Sequence, residues 1–504
     1  MSISGLEHQV HNITHYPTTK YSELFPNNLK DLVNIVKDAT TARTKLYPFS
    51  TGYNWGMGSK LPVSDDCTLV NLSKLNNIIE YDKFSGTVII EPGVTQEQLS
   101  KYLKENGDTH FIDVTGSSKS TSITGNALER GITYTTQRNE SILGLEVLTG
   151  NAELIKTGSW RFDNSKLKNI YKYGVGANLT ELFFQSNFGI VTKIIIKLQK
   201  VKKYNYSVLI QYSKIENVAK HIGSFNLLIE SKVINSIFHI ANTNRAKGAI
   251  LPALERRLSN LGCKYDMGKI KKNLDDTLKN GWIASGFISS DDKHDIKYKI
   301  KSLKNEFSGD AKIKIVNVKS LNLVNKYINL LNRFNIFKIA FGAYPFKTLY
   351  LGNPTDAALG SVVKLNDFLK KDFSAQQVDH AQTSFAYCLP LIPMDEKNTY
   401  EAFKLINEVC NKYNFPPSIT LNPIKENLLE AVVSISYKPK DYADSRECIR
   451  NLQIELNSKG YYSYRTNIKD MDLYHTDKTY SKYLMGIKNV FDPYNIISPG
   501  RYHP

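Results

Sequence analysis

The sequence predicts an α+β fold in two lobes, and three observations carry that prediction. The chain has 504 residues, more than one ordinary hydrophobic core accommodates. Its first 200 residues alternate short apolar runs with glycine-marked turns. After Val201 the segments lengthen, become more basic and lose glycine, until the final stretch returns to the first texture. The expected division is 1–200 for the main part of the first lobe, 201–457 for the second, and 458–504 for a return to the first.

In chain order, NLKDLVNIVKDAT reads as a helix ending before a strand at LYPFS. CTLVNLSKL, GTVIIEPGV, LGLEVLTGN and GIVTKIIIKL each read as a strand beside a turn. TQEQLSKYLKENG reads as a short helix with Thr95 as N-cap, Gly107 ending it, and Leu99, Tyr102 and Leu103 facing inward. In the second lobe YSVLIQYS, KIKIVNV and AVVSISY alternate as strands should. NVAKHIGSFNLLIES, TYEAFKLINEVCNKY and DSRECIRNLQIELNSKG read as amphipathic helices that would cover one sheet face. The Pro/Gly-rich tail FDPYNIISPGRYHP is ordered only if it docks on something.

Composition narrows the function classes. With 41% hydrophobic and 22% charged residues a packed globular protein is expected. No apolar run is long enough for a membrane span. The first twenty residues have neither a basic start nor an apolar core, so a cytoplasmic location is the expectation. Cys67, Cys263, Cys388, Cys410 and Cys448 are scattered and never spaced as CxxC. Reduced, mostly buried thiols are expected, with no disulfide framework and no metal. The net charge of +17 comes from dispersed lysines without a nucleic-acid-binding motif, and solubility accounts for it.

Three stretches set glycines and small hydroxyl residues where strands turn: Pro48 to Gly58, Gly116 to Ala127, and Gln185 to Val191. Small residues let backbone N–H groups approach a phosphate or an aromatic ring closely. Neither GxGxxG nor GxxxxGK[ST] is present, so a nucleotide would be held by another device.

In order and spacing, PFSTGYNWGMG, IIEPGVTQEQL, DVTGSS with TGNALERG, QSNFGIVTKI and the terminal DPYNIISPGR resemble the FAD-binding fold of the vanillyl-alcohol oxidase and p-cresol methylhydroxylase family. The resemblance is strong from Tyr16 to Lys200 and good from Tyr461 to Arg501, and TGNALERGITYT and QSNFGIVTKI look like the phenol-oxidising branch. It implies a two-lobed FAD-binding domain with an α+β cap over the flavin. Ser50, Thr51, Gly52, Tyr53, Asn54 and Trp55 would form the first cofactor loop, with backbone groups of Thr51 to Asn54 on the pyrophosphate. Pro92 and Gly93 would flank the cofactor, and Gly116, Ser117, Ser118, Ser122, Gly125 and Asn126 would wrap its flavin side, followed by Glu129 and Arg130. Ile190 and Val191 would meet the adenine end, and Arg501 would close the site from the tail.

Tyr464-Arg465-Thr466 resembles the family's YRT element, in which tyrosine and arginine bind a phenolate oxygen. A fixed guanidinium beside a phenol donor lowers a ligand phenol's pKa and holds the anion. The alternative for Arg465 is a structural pair with Asp470 or Asp472. Four positions depart from the family. Met57 replaces the second phenolate-binding tyrosine, and Thr115 to Ser117 carry no catalytic carboxylate. Asn54 replaces the linking histidine of one branch, and Phe385 falls at the attachment point of another, so non-covalent FAD is expected. His110, His239, His380 and His475 are candidate acids or bases, though a lone histidine without a placed partner is more often structural.

The expected activity is FAD-dependent removal of hydride from an activated C–H bond of a small aromatic, phenol-like or amine-type substrate, with electrons passing to O2 or an acceptor. Tyr464 and Arg465 would orient that substrate, and a polar residue of the cap would serve as base. No nucleic acid is expected as partner, and a homodimer is the assembly allowed for. Three alternatives stay open: an FAD-dependent 2-hydroxy-acid or sugar-lactone dehydrogenase, a flavin-binding protein without the family's phenol oxidation, and a basic nucleic-acid-binding protein.

Overall fold

The helix Leu29–Ala42 shows how the first lobe assembles. The Asn28 side chain caps it by accepting from the Asp31 N–H, and Leu32, Val36 and Ala39 form its buried stripe. Arg43 leaves it in the left-handed region, and the chain enters the strand Lys45–Phe49. The computed structural model describes residues 6–262, 265–278, 281–327, 335–363, 365–370 and 373–502. Among the described residues the first lobe contains a four-stranded sheet ordered Leu6–Gln9, Lys20–Leu24, Cys67–Asn71, Lys45–Phe49. A five-stranded antiparallel sheet follows, ordered Ile78–Asp82, Thr87–Ile90, Ile190–Lys197, Ile142–Leu148, Leu154–Lys156. Its two long strands are buried almost throughout, which is why they read as continuous apolar runs. The helix Gln96–Glu105 packs Leu99 and Leu103 inward under its Thr95 cap, and Asn106 rather than Gly107 is its C-cap.

The second lobe is an antiparallel sheet, ordered Ala311–Asn317, Tyr204–Tyr212, Trp282–Ser290, His239–Asn242, Ser418–Lys425, Leu428–Tyr437, Ser384–Cys388, with Leu391–Pro393 also on Leu428–Tyr437. Period-two alternation sorts its side chains. Val208, Ile210, Ala284, Ile240, Leu421, Ala431, Val433 and Ala386 face a large core. The helices Ile215–Glu230, Lys293–Glu306, Glu396–Lys412 and Tyr442–Ser458 cover that face, their buried residues sharing its core. The alternate set, including Leu209, His239, Ser285, Asn422, Glu430, Val432 and Tyr387, faces a cavity. Ala311–Asn317 alternates exposed and half-buried positions, the solvated edge strand that its lysines predict.

The tail docks on the first lobe. Ile496 and Ile497 are buried, Leu46 N–H donates to Ile496 O and Ser498 N–H to Leu46 O, each at 2.7 Å. Lys488 fixes this turn from inside, with Nζ on Asn187 O (2.5 Å), Asp492 Oδ2 (2.6 Å) and Ile497 O (2.8 Å). Cys67, Cys388, Cys410 and Cys448 are buried and free, while Cys263 lies outside the described residues. Among the described residues no helix is long and apolar enough to cross a membrane.

Candidate active site

The glycine loops, the tail and the second lobe's open sheet face enclose one cavity of about 1190 Å³. That exceeds the roughly 300–1,000 Å³ that serves a single small ligand, leaving room for a dinucleotide and a substrate together. One wall is built by Ser50 to Trp55, Met57, Pro92, Thr115, Gly116, Ser117, Ser122, Gly125, Asn126, Ile190, Val191 and Arg501. These residues come from five separate stretches of sequence. The first loop leaves the strand Lys45–Phe49 and turns back at Gly56, where φ is +77°. A Cβ at Gly56 would stand 2.5 Å from the Tyr387 ring, so only glycine lets the loop lie against the sheet.

The fit to an FAD pyrophosphate rests on unused donors. Among the described residues, the backbone N–H groups of Thr51, Gly52, Tyr53, Asn54, Gly116 and Ser117 donate to no protein acceptor. Half-enclosed donors without partners are costly unless water or a ligand accepts from them. Several converging on one cavity make a place for a polyanion. At Gly125 an added Cβ would meet Ser50 Oγ at 2.5 Å, so this loop too approaches closely because it lacks a side chain.

Behind the loops sits a charged hinge between tail and first lobe. Glu129 pairs with Arg501, and its second oxygen lies 3.4 Å from Arg465 Nε and accepts from the Tyr502 hydroxyl at 2.6 Å. Burial works against ionising Glu129, yet Arg501 and Arg465 hold its carboxyl below the usual range. Arg465 also donates to Asn54 Oδ1 and so touches the first loop directly. Asp470 and Asp472, its alternative partners, are taken by Arg446 and Arg450 from the helix Tyr442–Ser458.

Next to Arg465 the sheet supplies a carboxylate that the sequence reading did not name. Glu430 lies on the strand Leu428–Tyr437, is 1% exposed, and lines the cavity. Its carboxylate accepts from the Tyr464 hydroxyl and, at 2.7 Å, from Asn422 Nδ2 on the paired strand. Because the Asn422 amide is turned that way, its oxygen faces His239 Nδ1 at 2.8 Å. Burial raises the Glu430 carboxyl to about 7, against the lowering effect of Asn422, Tyr464 and Arg465. Burial and the Glu430 charge push the Tyr464 phenol well above its ordinary value. His239 is driven down by burial to about 4 and is neutral. Gln185 Nε2 on Tyr464 O (2.8 Å) and Tyr464 N–H on Leu389 O (3.2 Å) fix the backbone that presents Tyr464 and Arg465.

Of the cofactor residues expected from sequence, Gly93 and Ser118 stand behind the cavity wall. Gly93 packs under Ser73 O, where a Cβ would be 2.5 Å away, and Ser118 Oγ is occupied by Asp356 at 2.6 Å. The other expected cofactor residues, together with Tyr464 and Arg465, line the cavity. Phe385 is buried against Trp55 in an apolar cluster, whereas Tyr387, two residues on, faces the cavity and hydrogen-bonds Arg245. Met57 is buried in the wall, and Thr115 to Ser117 bring no carboxylate. Of the four candidate histidines only His239 lines this cavity. The signal for Glu430 was available: a lone acid inside the apolar run LLEAVV.

Comparison with known proteins places this geometry. A family model described as an FAD binding domain matches residues 23–158. The chain is 26% identical to the 1'-carboxy-chondrochloren decarboxylase of Chondromyces crocatus, over 95% of this chain and 89% of the relative. It is 23% identical to the flavoprotein subunit of 4-cresol dehydrogenase (hydroxylating) from Pseudomonas putida, over 98% and 89%. Among solved structures, the 4-ethylphenol oxidase from Gulosibacter chungangensis in complex with isoeugenol superposes with a TM-score of 0.81 at 19% identity, covering 98% of this chain and 91% of that one. At that identity the superposition shows the shared fold.

Proposed function

This chain is an FAD-dependent oxidoreductase with the fold of the vanillyl-alcohol oxidase and p-cresol methylhydroxylase family, and on that premise we propose that it oxidises a small para-substituted phenol at the carbon attached to the ring. The observation that supports this reading is the grouping of Tyr464, Arg465 and Glu430 at the meeting of cap and cofactor walls. Bound FAD supplies an acceptor for two electrons and one hydrogen, a hydride.

Residues 51–54, 116 and 117 would hold the cofactor through backbone donors, with Arg501 keeping the tail closed over it. Arg465 carries a permanent charge, oriented by Glu129 and Asn54, and lowers the pKa of a phenol placed beside it. Tyr464 donates to Glu430, so a phenol proton can pass through the Tyr464 hydroxyl to the Glu430 carboxylate. With the carboxyl at about 7, Glu430 is part ionised near neutrality and suited to take that proton. The phenolate held by Arg465 then expels hydride from the carbon attached at the para position of the ring. The substrate loses one proton to Glu430 and one hydride, a two-electron oxidation overall. The low polarity of Val432 and Leu389, beside Glu430 and Tyr464, strengthens the Arg465 field.

The test is anaerobic mixing of the flavin-loaded protein with 4-hydroxybenzyl alcohol, 4-ethylphenol, the methyl ether of each, and D-lactate. Bleaching of the flavin by the free phenols but not by the ethers is expected. Bleaching by lactate alone, or by ethers as fast as by phenols, would overturn the proposal.

A further inference from the structure

The cavity contains a lysine that phenol oxidation does not use. Lys347 lies near the end of the helix Asn335–Leu349, which sits on the cavity side of the second-lobe sheet. Its Nζ reaches Ser285 Oγ at 2.5 Å, and among the described residues it forms no ion pair. The arginines in the enclosed part of the cavity are held by other groups. Arg465 and Arg501 share Glu129; among the described residues Arg245 has no carboxylate either, but its guanidinium is hydrogen-bonded by Ser434 and Tyr387 at the opposite end of the sheet from Ser285. The enclosed carboxylates are matched as well, since Glu129 holds two arginines and Glu430 holds Asn422 and Tyr464.

The surroundings of Lys347 offer its charge little. His239 is near enough for the Lys347 charge to act on it, but its ring is neutral. Tyr350 is committed to Ser285 O at 2.7 Å and Ile237 O at 3.1 Å, and stacks flat on Phe287. Tyr134 packs edge-on against both His239 and Tyr350. A buried ammonium without a counter-ion is unfavourable in a medium of low polarity. Burial accordingly lowers the Lys347 ammonium to about 8, which leaves it mostly charged at neutral pH. A cation held in a ligand cavity beside aromatic walls, with no carboxylate paired to it among the described residues, is complementary to an anionic ligand.

We propose that the substrate is an aromatic carboxylic acid, whose ring lies along the Tyr134 and Tyr350 side of the cavity and whose carboxylate pairs with Lys347 while its phenol end meets Tyr464 and Arg465. This rests on the phenol reading above and adds the substrate's second polar end. It divides the work between two cations: Arg465 acts on the reacting end and Lys347 selects and orients.

The experiment titrates 4-hydroxyphenylacetate and its methyl ester into the FAD-loaded protein and follows the flavin absorbance band. A charge-assisted contact in an enclosed site predicts that the acid binds about tenfold or more tightly than the ester. In Lys347→Met the preference disappears through loss of acid affinity, with ester affinity unchanged. In Lys347→Arg, which keeps the charge and guards against a folding defect, the preference persists. Equal affinities in the unaltered protein, or an acid preference that survives Lys347→Met, would overturn the inference. Flavin reduction read in parallel separates the two claims. An acid preference lost in Lys347→Met without any oxidation leaves the ligand class standing and the phenol chemistry refuted. Oxidation of acid and ester alike, with equal affinity, does the reverse.

Discussion

Replacing Glu430 with glutamine tests the cavity's electrostatics with and without a substrate in hand. Burial lifts this carboxyl from 4.5 to about 7. A displacement of that size is worth about 3 kcal/mol between the two protonation states. Because the folded pKa lies above the unfolded one, the folded protein favours the protonated acid. The stability this contributes is fully present below about pH 4.5 and is lost as the pH rises through 7. Between pH 5 and pH 8 the unaltered protein should therefore lose up to about 3 kcal/mol that Glu430→Gln does not lose. Urea denaturation of both proteins at the two pH values measures the difference, and comparison cancels other titrating groups such as Asp379, which burial raises to about 6. With a phenolic substrate, flavin reduction should speed up through pH 7 in the unaltered protein. In Glu430→Gln it should be slower by about 10²–10⁴-fold and lack that rise. Parallel stability curves, together with an unchanged pH profile, would refute a buried, titrating Glu430 as proton acceptor.

Three further outcomes are expected. Phe385 offers no nucleophile at the expected attachment point, so acid precipitation should release the flavin into the supernatant; yellow colour kept in the pellet, and lost in Tyr387→Phe, would contradict this. Lys488→Met strands Asp492 and frees three acceptors at the docked tail, which should cost about 3–5 kcal/mol in urea denaturation and weaken FAD retention on desalting through the loss of Arg501. Gly56→Ala drives a methyl into the Tyr387 ring at a positive φ, and a loss of about 1–3 kcal/mol with lower flavin occupancy is expected by the same measurements.

The first lobe was legible because its signals are local. Strands such as Ile142–Leu148 and Ile190–Lys197 are apolar on both faces and sit beside glycine turns, and the Thr95 cap announces its helix. The convergence of loops, tail and Tyr464-Arg465 on one cavity was also within reach, because each element carries a motif. What escaped depends on register and distant pairing. The strand reading began at Ala431, one residue after Glu430, and the missing carboxylate was sought at Thr115 to Ser117. A carboxylate, Glu430, stands instead on the opposite wall, on a strand whose alternate residues point to the cavity rather than to the core. Phe385 and Tyr387 lie on the same strand face two residues apart, so alternation alone does not say which of them reaches the cavity. The helix Thr243–Asn260 was not anticipated, since Pro252 and mixed charges interrupt its apolar period. Arg465 was weighed against carboxylates nearby in sequence, but its partner Glu129 is more than three hundred residues away.

The proposed function requires that the backbone donors of Thr51 to Asn54, Gly116 and Ser117, unpaired among the described residues, receive a flavin dinucleotide whose ring lies beside Arg465. A crystal structure of the protein with FAD and 4-hydroxybenzyl alcohol tests this directly. The expected result is a pyrophosphate within hydrogen-bond distance of those N–H groups and the phenol oxygen on Tyr464 and Arg465. A pyrophosphate bound elsewhere, or a phenol oriented away from that pair, would contradict it.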